Sequence, residues 1–303
     1  MSVSLLIGNG LNRCLRDELA WDNLLRTVAV KHRVTSNSKI SLPLEFERIC
    51  NLIFDKDESQ DYHLYGIIKK EICNEISTKL DYTNPKVDLS LHRQFSNLKV
   101  SSILTTNYDY ILEASFEASF NRSILKASDI YRTETKYNNY RKIVVSNISF
   151  FHIHGEEDRP GTLCLGYEHY IGSLQKLREE FHSKDDERTK SILGGAKQEE
   201  VIWADKFFMD EIYIIGFNLH ESETDLWWLL TYRAFLYYSN KWGMRKLIKN
   251  RIVYYDAGGV ADQNKKALLE GLHVEYVQIP ETEKNNYRGR YQIIYEKIID
   301  ELI

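Results

Sequence analysis

The chain has 303 residues, 43% of them hydrophobic and 28% charged, enough for a sizeable buried core and too apolar for long disorder. Its 40 Lys and Arg against 44 Asp and Glu leave a formal net charge of -4, without the cationic excess of a nucleic-acid binder, so no direct nucleic-acid binding is expected. The four cysteines (Cys14, Cys50, Cys73 and Cys164) are scattered and form no C-x-x-C pair, which argues against a disulfide framework or a zinc ribbon. Met1 to Ile7 lacks the basic flank of a signal peptide. The richest apolar stretch, Leu226 to Tyr238, is interrupted by Thr231 and Arg233 and is too short to span a bilayer. A cytoplasmic protein is expected.

In chain order, Val3 to Ile7 is a short apolar run ended by Gly8-Asn9-Gly10, the way a strand opens a βαβ phosphate-binding unit. From Trp21 to about Leu98 the apolar spacing changes to threes and fours, as in Trp21, Leu24, Leu25 and Val28, or Ile67, Ile68, Ile72 and Ile76. Residues 20–100 therefore read as a helical insertion after the first strand, with polar loops at Thr35 to Ser41 and Asp55 to Asp61. Ser101 to Thr105 predicts a strand and Tyr110 to Phe120 a helix. Ile143 to Ile153 carries mixed strand signals, Thr162 to Leu165 reads as a short strand, and Lys176 to Glu200 as a helix broken at Gly194-Gly195. Three strand–helix repeats close the chain. Ile212 to Ile215 precedes Glu223 to Tyr238, Ile252 to Tyr255 precedes Ala261 to Leu269, and Val274 to Ile279 precedes Tyr291 to Leu302. The pattern predicts an α/β fold: one Rossmann-like parallel sheet, covered by helices on both faces, in a single domain over 1–303.

Five constellations sit where such a sheet places its ligand groups. In Gly8-Asn9-Gly10-Leu11-Asn12-Arg13, glycines would let backbone N–H groups approach a pyrophosphate. The dehydrogenase fingerprint needs a third glycine where Arg13 stands and an acidic residue about 20 positions on, and both are missing. A ligand-free turn is the commoner cause of a lone Gly-x-Gly. Thr105-Thr106-Asn107-Tyr108-Asp109 follows a strand; Asn107 offers a donor and an acceptor there, and Asp109 is also suited to cap the next helix. In Phe151-His152-Ile153-His154-Gly155, alternation puts both histidines on one face. His152 suits a satisfied core position, and His154, beside a glycine, suits a base near neutral pH. No carboxylate or cysteine cluster completes a metal site around them. Gly216-Phe217-Asn218, with Asp225 beyond, and Asp256 before Gly258-Gly259 end two later strands. Asp256 suits a ribose diol, although an Asp before glycines is more often a turn former.

Taken together, Gly-x-Gly, T-T-N-Y-D, x-H-x-H-G and I-I-G-x-N resemble the sirtuin-like superfamily. They look more like its bacterial NAD-hydrolysing, antiphage-defence branch than like the protein deacylases. The likeness spans Gly8 to Asp256 and includes Trp21-Asp22-Asn23-Leu24-Leu25 and Leu165-Gly166-Tyr167-Glu168-His169-Tyr170. Departures from the deacylases are the missing paired zinc cysteines and the missing Gly-Ile-Pro-Asp-Phe-Arg-like segment. The resemblance implies an NAD+ glycohydrolase with NAD as substrate and no metal, acting in abortive infection. His154, Asn107 and Asp109 would be catalytic, and Gly8, Asn9, Gly10, Asn12, Thr106, Gly216, Asn218 and Asp256 would bind the dinucleotide. It is compatible with a second function, a non-catalytic NAD or ADP-ribose sensor acting through a partner. Because uncontrolled NAD loss would harm the cell, a homo-oligomer is expected, with a separately encoded ATPase or nucleic-acid-guided protein as partner. The apolar stretch 226–238 suits either an interface or a helix buried within the domain.

Overall fold

The computed structural model describes residues 1–15, 20–37, 39–56, 64–79, 87–117, 120, 136–182, 187–195, 201–281 and 287–302. At its centre is a seven-stranded sheet: β1 (Ser2–Ile7), β2 (Ser102–Thr105), β3 (Ile143–Val145), β4 (Ile148–His152), β5 (Asp210–Ile215), β6 (Ile252–Gly259) and β7 (Glu275–Pro280). The strand order is β3-β4-β2-β1-β5-β6-β7. Six of the strands run parallel; β3 is an antiparallel edge strand paired with β4. The β3–β4 turn is Ser146-Asn147, with φ of 49° and 66°, the two positive angles that a tight two-residue hairpin requires.

Central parallel strands are buried on both faces and so need apolar residues throughout. Leu5, Leu6 and Ile7 of β1 are all 0% exposed. Alternation then divides them between two cores. Leu6 joins Leu104, Phe151 and Ile214, while Leu5 and Ile7 join Ile103, Phe150 and Ile215. The first core is covered by α7 (Tyr167–His182) and α10 (Thr224–Ser239), which supply Leu177, Phe181, Leu226 and Leu229. The second is covered by α5 (Ser90–Ser96) and α12 (Tyr287–Leu302), through Leu91, Phe95, Ile294 and Ile298.

Between β1 and β2 lie α1 (Asn9–Asn12), then α2 (Trp21–Lys31), α3 (Leu42–Lys56), α4 (Leu64–Lys79) and α5. The first three long helices of this insertion build a third core from Leu25, Val28, Phe46, Ile49, Ile68 and Ile72. After β2 comes α6 (Ile111–Phe116); α8 (Glu187–Leu193) and α9 (Lys206–Met209) precede β5, and α11 (Gln263–Gly271) follows β6.

Three expectations are corrected. Thr162 to Leu165 is not a strand: Pro160–Thr162 is a turn of 3-10 helix, started by a proline whose fixed φ suits it. The helix expected from Lys176 begins nine residues earlier, at Tyr167, with Tyr170, Ser173, Leu177 and Phe181 on its buried stripe. The helix after β2 ends at Phe116, since Glu117 is already extended. Parts of the loop at Asp55 to Asp61 and of Lys176 to Glu200 lie outside the described residues. The stretch 226–238 belongs to α10, which is buried along Leu226, Leu229, Leu230, Ala234 and Leu236 and leaves Phe235 and Tyr238 exposed. Among the described residues no helix is long and apolar enough to cross a membrane.

Candidate active site

From β1 the chain passes to β2 and β4 on one side and later returns to β5, β6 and β7 on the other, so β1 is the point where strand order reverses. Open α/β sheets bind ligands beyond the carboxyl ends of strands at that point. A cavity of about 640 Å³ lies there, walled by the segments that follow β1, β2, β4, β5 and β6 and by the helical insertion.

The glycine turn contributes shape. A Cβ on Gly8 would lie 2.6 Å from Gly216 O, and one on Gly10 would lie 2.7 Å from the same oxygen and 2.3 Å from Tyr291 Oη. The amides of Gly8 and Gly10 donate to Ile215 O (2.9 Å) and Gly216 O (2.7 Å). They are spent on docking this turn against the end of β5, not left open for a pyrophosphate, and Gly8 does not line the cavity. Gly216, at φ 64°, is the partner that needs the left-handed conformation. Asn9, Gly10 and Arg13 do line the cavity. Asn12 does not; it is fully buried, its Nδ2 donating to both oxygens of Asp109 (3.1 and 2.9 Å) and its Oδ1 lying 3.1 Å from His92 Nε2. Asp109 also accepts at 3.1 Å from the Ile111 amide, the first of the next helix, whose N-cap position is Tyr110. Burial pushes the Asp109 carboxyl up to about 6 despite that amide. Asn12 and Asp109 thus brace the segment that carries Asn107.

Thr106 and Asn107 face the cavity. Asn107 is 5% exposed; its amide donates to Thr105 Oγ1 at 3.1 Å, and its Oδ1 is buried with no hydrogen-bond partner among the described residues. Its carbonyl lies 2.8 Å from His152 Nδ1, and His152 Nε2 is 2.7 Å from Glu113. Burial would lower the His152 imidazole, but the Glu113 carboxylate outweighs it and raises the ring to about 9. His152 is thus a fully partnered core residue.

His154 lies elsewhere. Alternation would set it beside His152, but β4 ends at His152 and the chain turns at Gly155, whose φ of 101° and contact with Thr162 exclude a side chain. His154 therefore points to α10 on the opposite face. Its Nε2 is 3.3 Å from Asp225 Oδ2 and its Nδ1 is 3.6 Å from Glu223 Oε2, with Tyr170 edge-on at 5.0 Å. Burial lowers the imidazole, but the two carboxylates more than compensate, so it is held toward its protonated form. Burial likewise lifts the Glu223 carboxyl to about 7, while Asp225 stays low because His154 and a hydrogen bond from Ser173 offset its burial. Among the described residues, these three form the group of His, Cys, Asp or Glu side chains whose ligand-type atoms lie within 4.8 Å of one another. The carboxylates absent from the sequence neighbourhood of His154 come from the start of α10, and a protonated imidazole offsets one of their two charges. None of the cysteines belongs to it.

Gly216, Asn218 and Asp256 line the far end. Asn218 accepts from Lys265 Nζ at 2.7 Å. Asp256 accepts from the Gly258 amide at 2.7 Å and from Tyr276 Oη, so it is both a turn former and a cavity-wall carboxylate. Of the expected residues, the fold brings Asn9, Gly10, Thr106, Asn107, Asp109, His154, Gly216, Asn218 and Asp256 to one cavity, and sets Gly8 and Asn12 behind it. Sequence reasoning missed Glu223, Arg13 as a lining cation, and the aromatic wall of Trp21, Tyr170 and Tyr254. The spacing of Glu223 and Asp225 at a helix start was the available signal for the first.

The chain has no match among curated proteins. Residues 101–195, about a third of the chain, match the family model of the SIR2-like domain. They include β2, Asn107, β4 and His154, so this stretch, set in a Rossmann-like sheet, is similar to SIR2-like domains.

Proposed function

We propose that the chain is an NAD+ glycohydrolase that breaks the bond between nicotinamide and ribose without a metal. The observation that carries this is the buried Asn107 Oδ1, which has no hydrogen-bond partner among the described residues and sits on a residue that walls the same cavity as His154. A buried polar atom is costly to leave unpaired, so a cavity wall that leaves this one suits a polar ligand. The cavity is within the size range of small-molecule sites. The SIR2-like match supports NAD as that ligand.

The chemistry needs little beyond positioning. Nicotinamide leaves neutral, while oxocarbenium-like charge develops on the ribose and a water closes on its C1′. Asn107 is placed to orient that water or a ribose hydroxyl, and the charged cluster at His154 to manage its proton. Asp109 acts as a positioning residue through Asn12 and the Ile111 amide. The defence role and a homo-oligomeric working state belong to the same proposal and rest on the sequence resemblance.

The test is incubation of the purified chain with NAD while nicotinamide is followed by chromatography. Release of nicotinamide that is lost in His154→Ala is expected. NAD binding with no nicotinamide formed would refute the enzyme and leave the sensor.

A further inference from the structure

Each ring nitrogen of His154 faces a carboxylate, and the two carboxylates differ in their access to the cavity. Asp225 is fully buried; it accepts from Ser173 Oγ and from the Leu226 amide, each at 2.9 Å, and does not line the cavity. Glu223 does line it. Its side chain is 14% exposed against 2% for His154, and its Oε2, 3.6 Å from His154 Nδ1, has no hydrogen-bond partner. The histidine is thus backed by one fixed anion and fronted by a second carboxylate that meets the cavity.

We propose that Glu223, not His154, is the catalytic residue that takes the proton from the attacking water, with His154 and Asp225 as positioning residues behind it. The inference rests on the NAD-cleavage reading. In the step, the C1′–N bond to nicotinamide breaks and its electron pair leaves with the neutral base. The water oxygen forms the new C1′–O bond. The water proton passes to Glu223 and from there to solvent, so NAD+ and water give nicotinamide, ADP-ribose and one proton.

A doubly protonated imidazole has no lone pair with which to accept a further proton, whereas an ionised carboxylate beside it does. The groups that face Glu223 are His154 after β4, Asp225 on α10, Tyr170 on α7, and Tyr108 and Cys164 from the segments after β2 and the 3-10 turn. Burial first, and the neighbouring carboxylates after it, keep Tyr108, Tyr170 and the Cys164 thiol protonated. Of this set, Glu223 is the cavity-lining carboxylate that burial lifts to about 7, close to the range in which a base is most effective.

The experiment compares the full chain with Glu223→Gln and Glu223→Asp, measuring nicotinamide release between about pH 5 and 9. The parental kcat/KM should rise with pH through a step near 7. Glu223→Gln should lose roughly 100- to 10,000-fold in kcat, with KM changed less and the step gone. Glu223→Asp should keep the step at a lower rate. Should the Gln variant not fold, the parental and Asp profiles decide, and a parental profile without the step overturns the assignment. A folded Gln variant that keeps both rate and step overturns it too, and leaves NAD cleavage standing. No nicotinamide from the parental chain at any pH overturns both.

Discussion

The substitution Gly10→Ala adds a single methyl group where two strand ends meet. The new carbon would stand 2.7 Å from Gly216 O and 2.8 Å from Gly216 Cα, about 0.6 Å short of an ordinary 3.4 Å contact. Both obstacles are backbone. The third, Tyr291 Oη at 2.3 Å, ends a side chain that is 1% exposed and lies 3.1 Å from Tyr287 Oη. The turns after β1 and β5 must part, stretching the 2.7 Å bond from the Gly10 amide to Gly216 O. Overpacking costs about 1–3 kcal/mol and the weakened hydrogen bond about 1 more, so a loss of roughly 2–4 kcal/mol is expected. At about 2 °C per kcal/mol for a chain of this size, the melting temperature should fall by about 4–8 °C. Nicotinamide release should fall with it, since Gly10, Gly216 and Tyr291 all wall the cavity. Gly66→Ala is the control. It sits in α4 with open space around a new Cβ, and it should gain about 0.5–1 kcal/mol from helix propensity alone. Thermal melts and turnover on the two variants decide. If Gly10→Ala melts and turns over like the parent, the close docking of the two turns is not as described.

Asn107→Ala should lower kcat about 100- to 1,000-fold while NAD binding stays measurable by calorimetry; a folded variant with no affinity would make Asn107 a binding residue instead. His152→Ala should destabilise by about 3–5 kcal/mol, because Glu113 is left buried beside an empty space. His152 binds its proton more tightly folded than unfolded. Its contribution is therefore complete below its unfolded value near ~6.5 and is lost as pH rises through about 9. The parental melting temperature should fall across that window and the variant's should fall less; equal slopes would refute the linkage. Elemental analysis should find no stoichiometric metal, and chelators should leave nicotinamide release unchanged; about one ion per chain would overturn the metal-free mechanism.

The parallel strands were legible because burial on both faces demands continuous apolar runs, as in Leu5-Leu6-Ile7 and Ile212 to Ile215. The place of the cavity was legible from strand ends, since that is where loops and glycines gather. Directions and pairings were not legible. The β3–β4 hairpin turns on Ser146-Asn147 without a glycine, so its usual signal is absent. Which way His154 points depends on where β4 stops, and that is set by Gly155 packing on Thr162. The partners of His154 lie some 70 residues away on α10, a distance over which periodicity carries no information. Asn12 had the residue type of a phosphate ligand, but its side chain is wholly engaged with Asp109 and His92, which only the fold reveals.

The cavity is walled by two layers that share a seam of buried residues. One wall belongs to the sheet ends, with Asn107, His154 and Glu223; another, with Trp21, Leu24, Leu42, Pro43 and Ile76, belongs to helices whose core also takes in Ile111, Leu163 and Leu165 from the segments after β2 and β4. Substitutions at the helical positions of that core reshape one wall, whereas substitutions at Ile111, Leu163 or Leu165 also act on the segments that carry Asn107 and His154. A change of wall can therefore be made far from the seam with the reacting groups left in place, while a change at the seam reaches both.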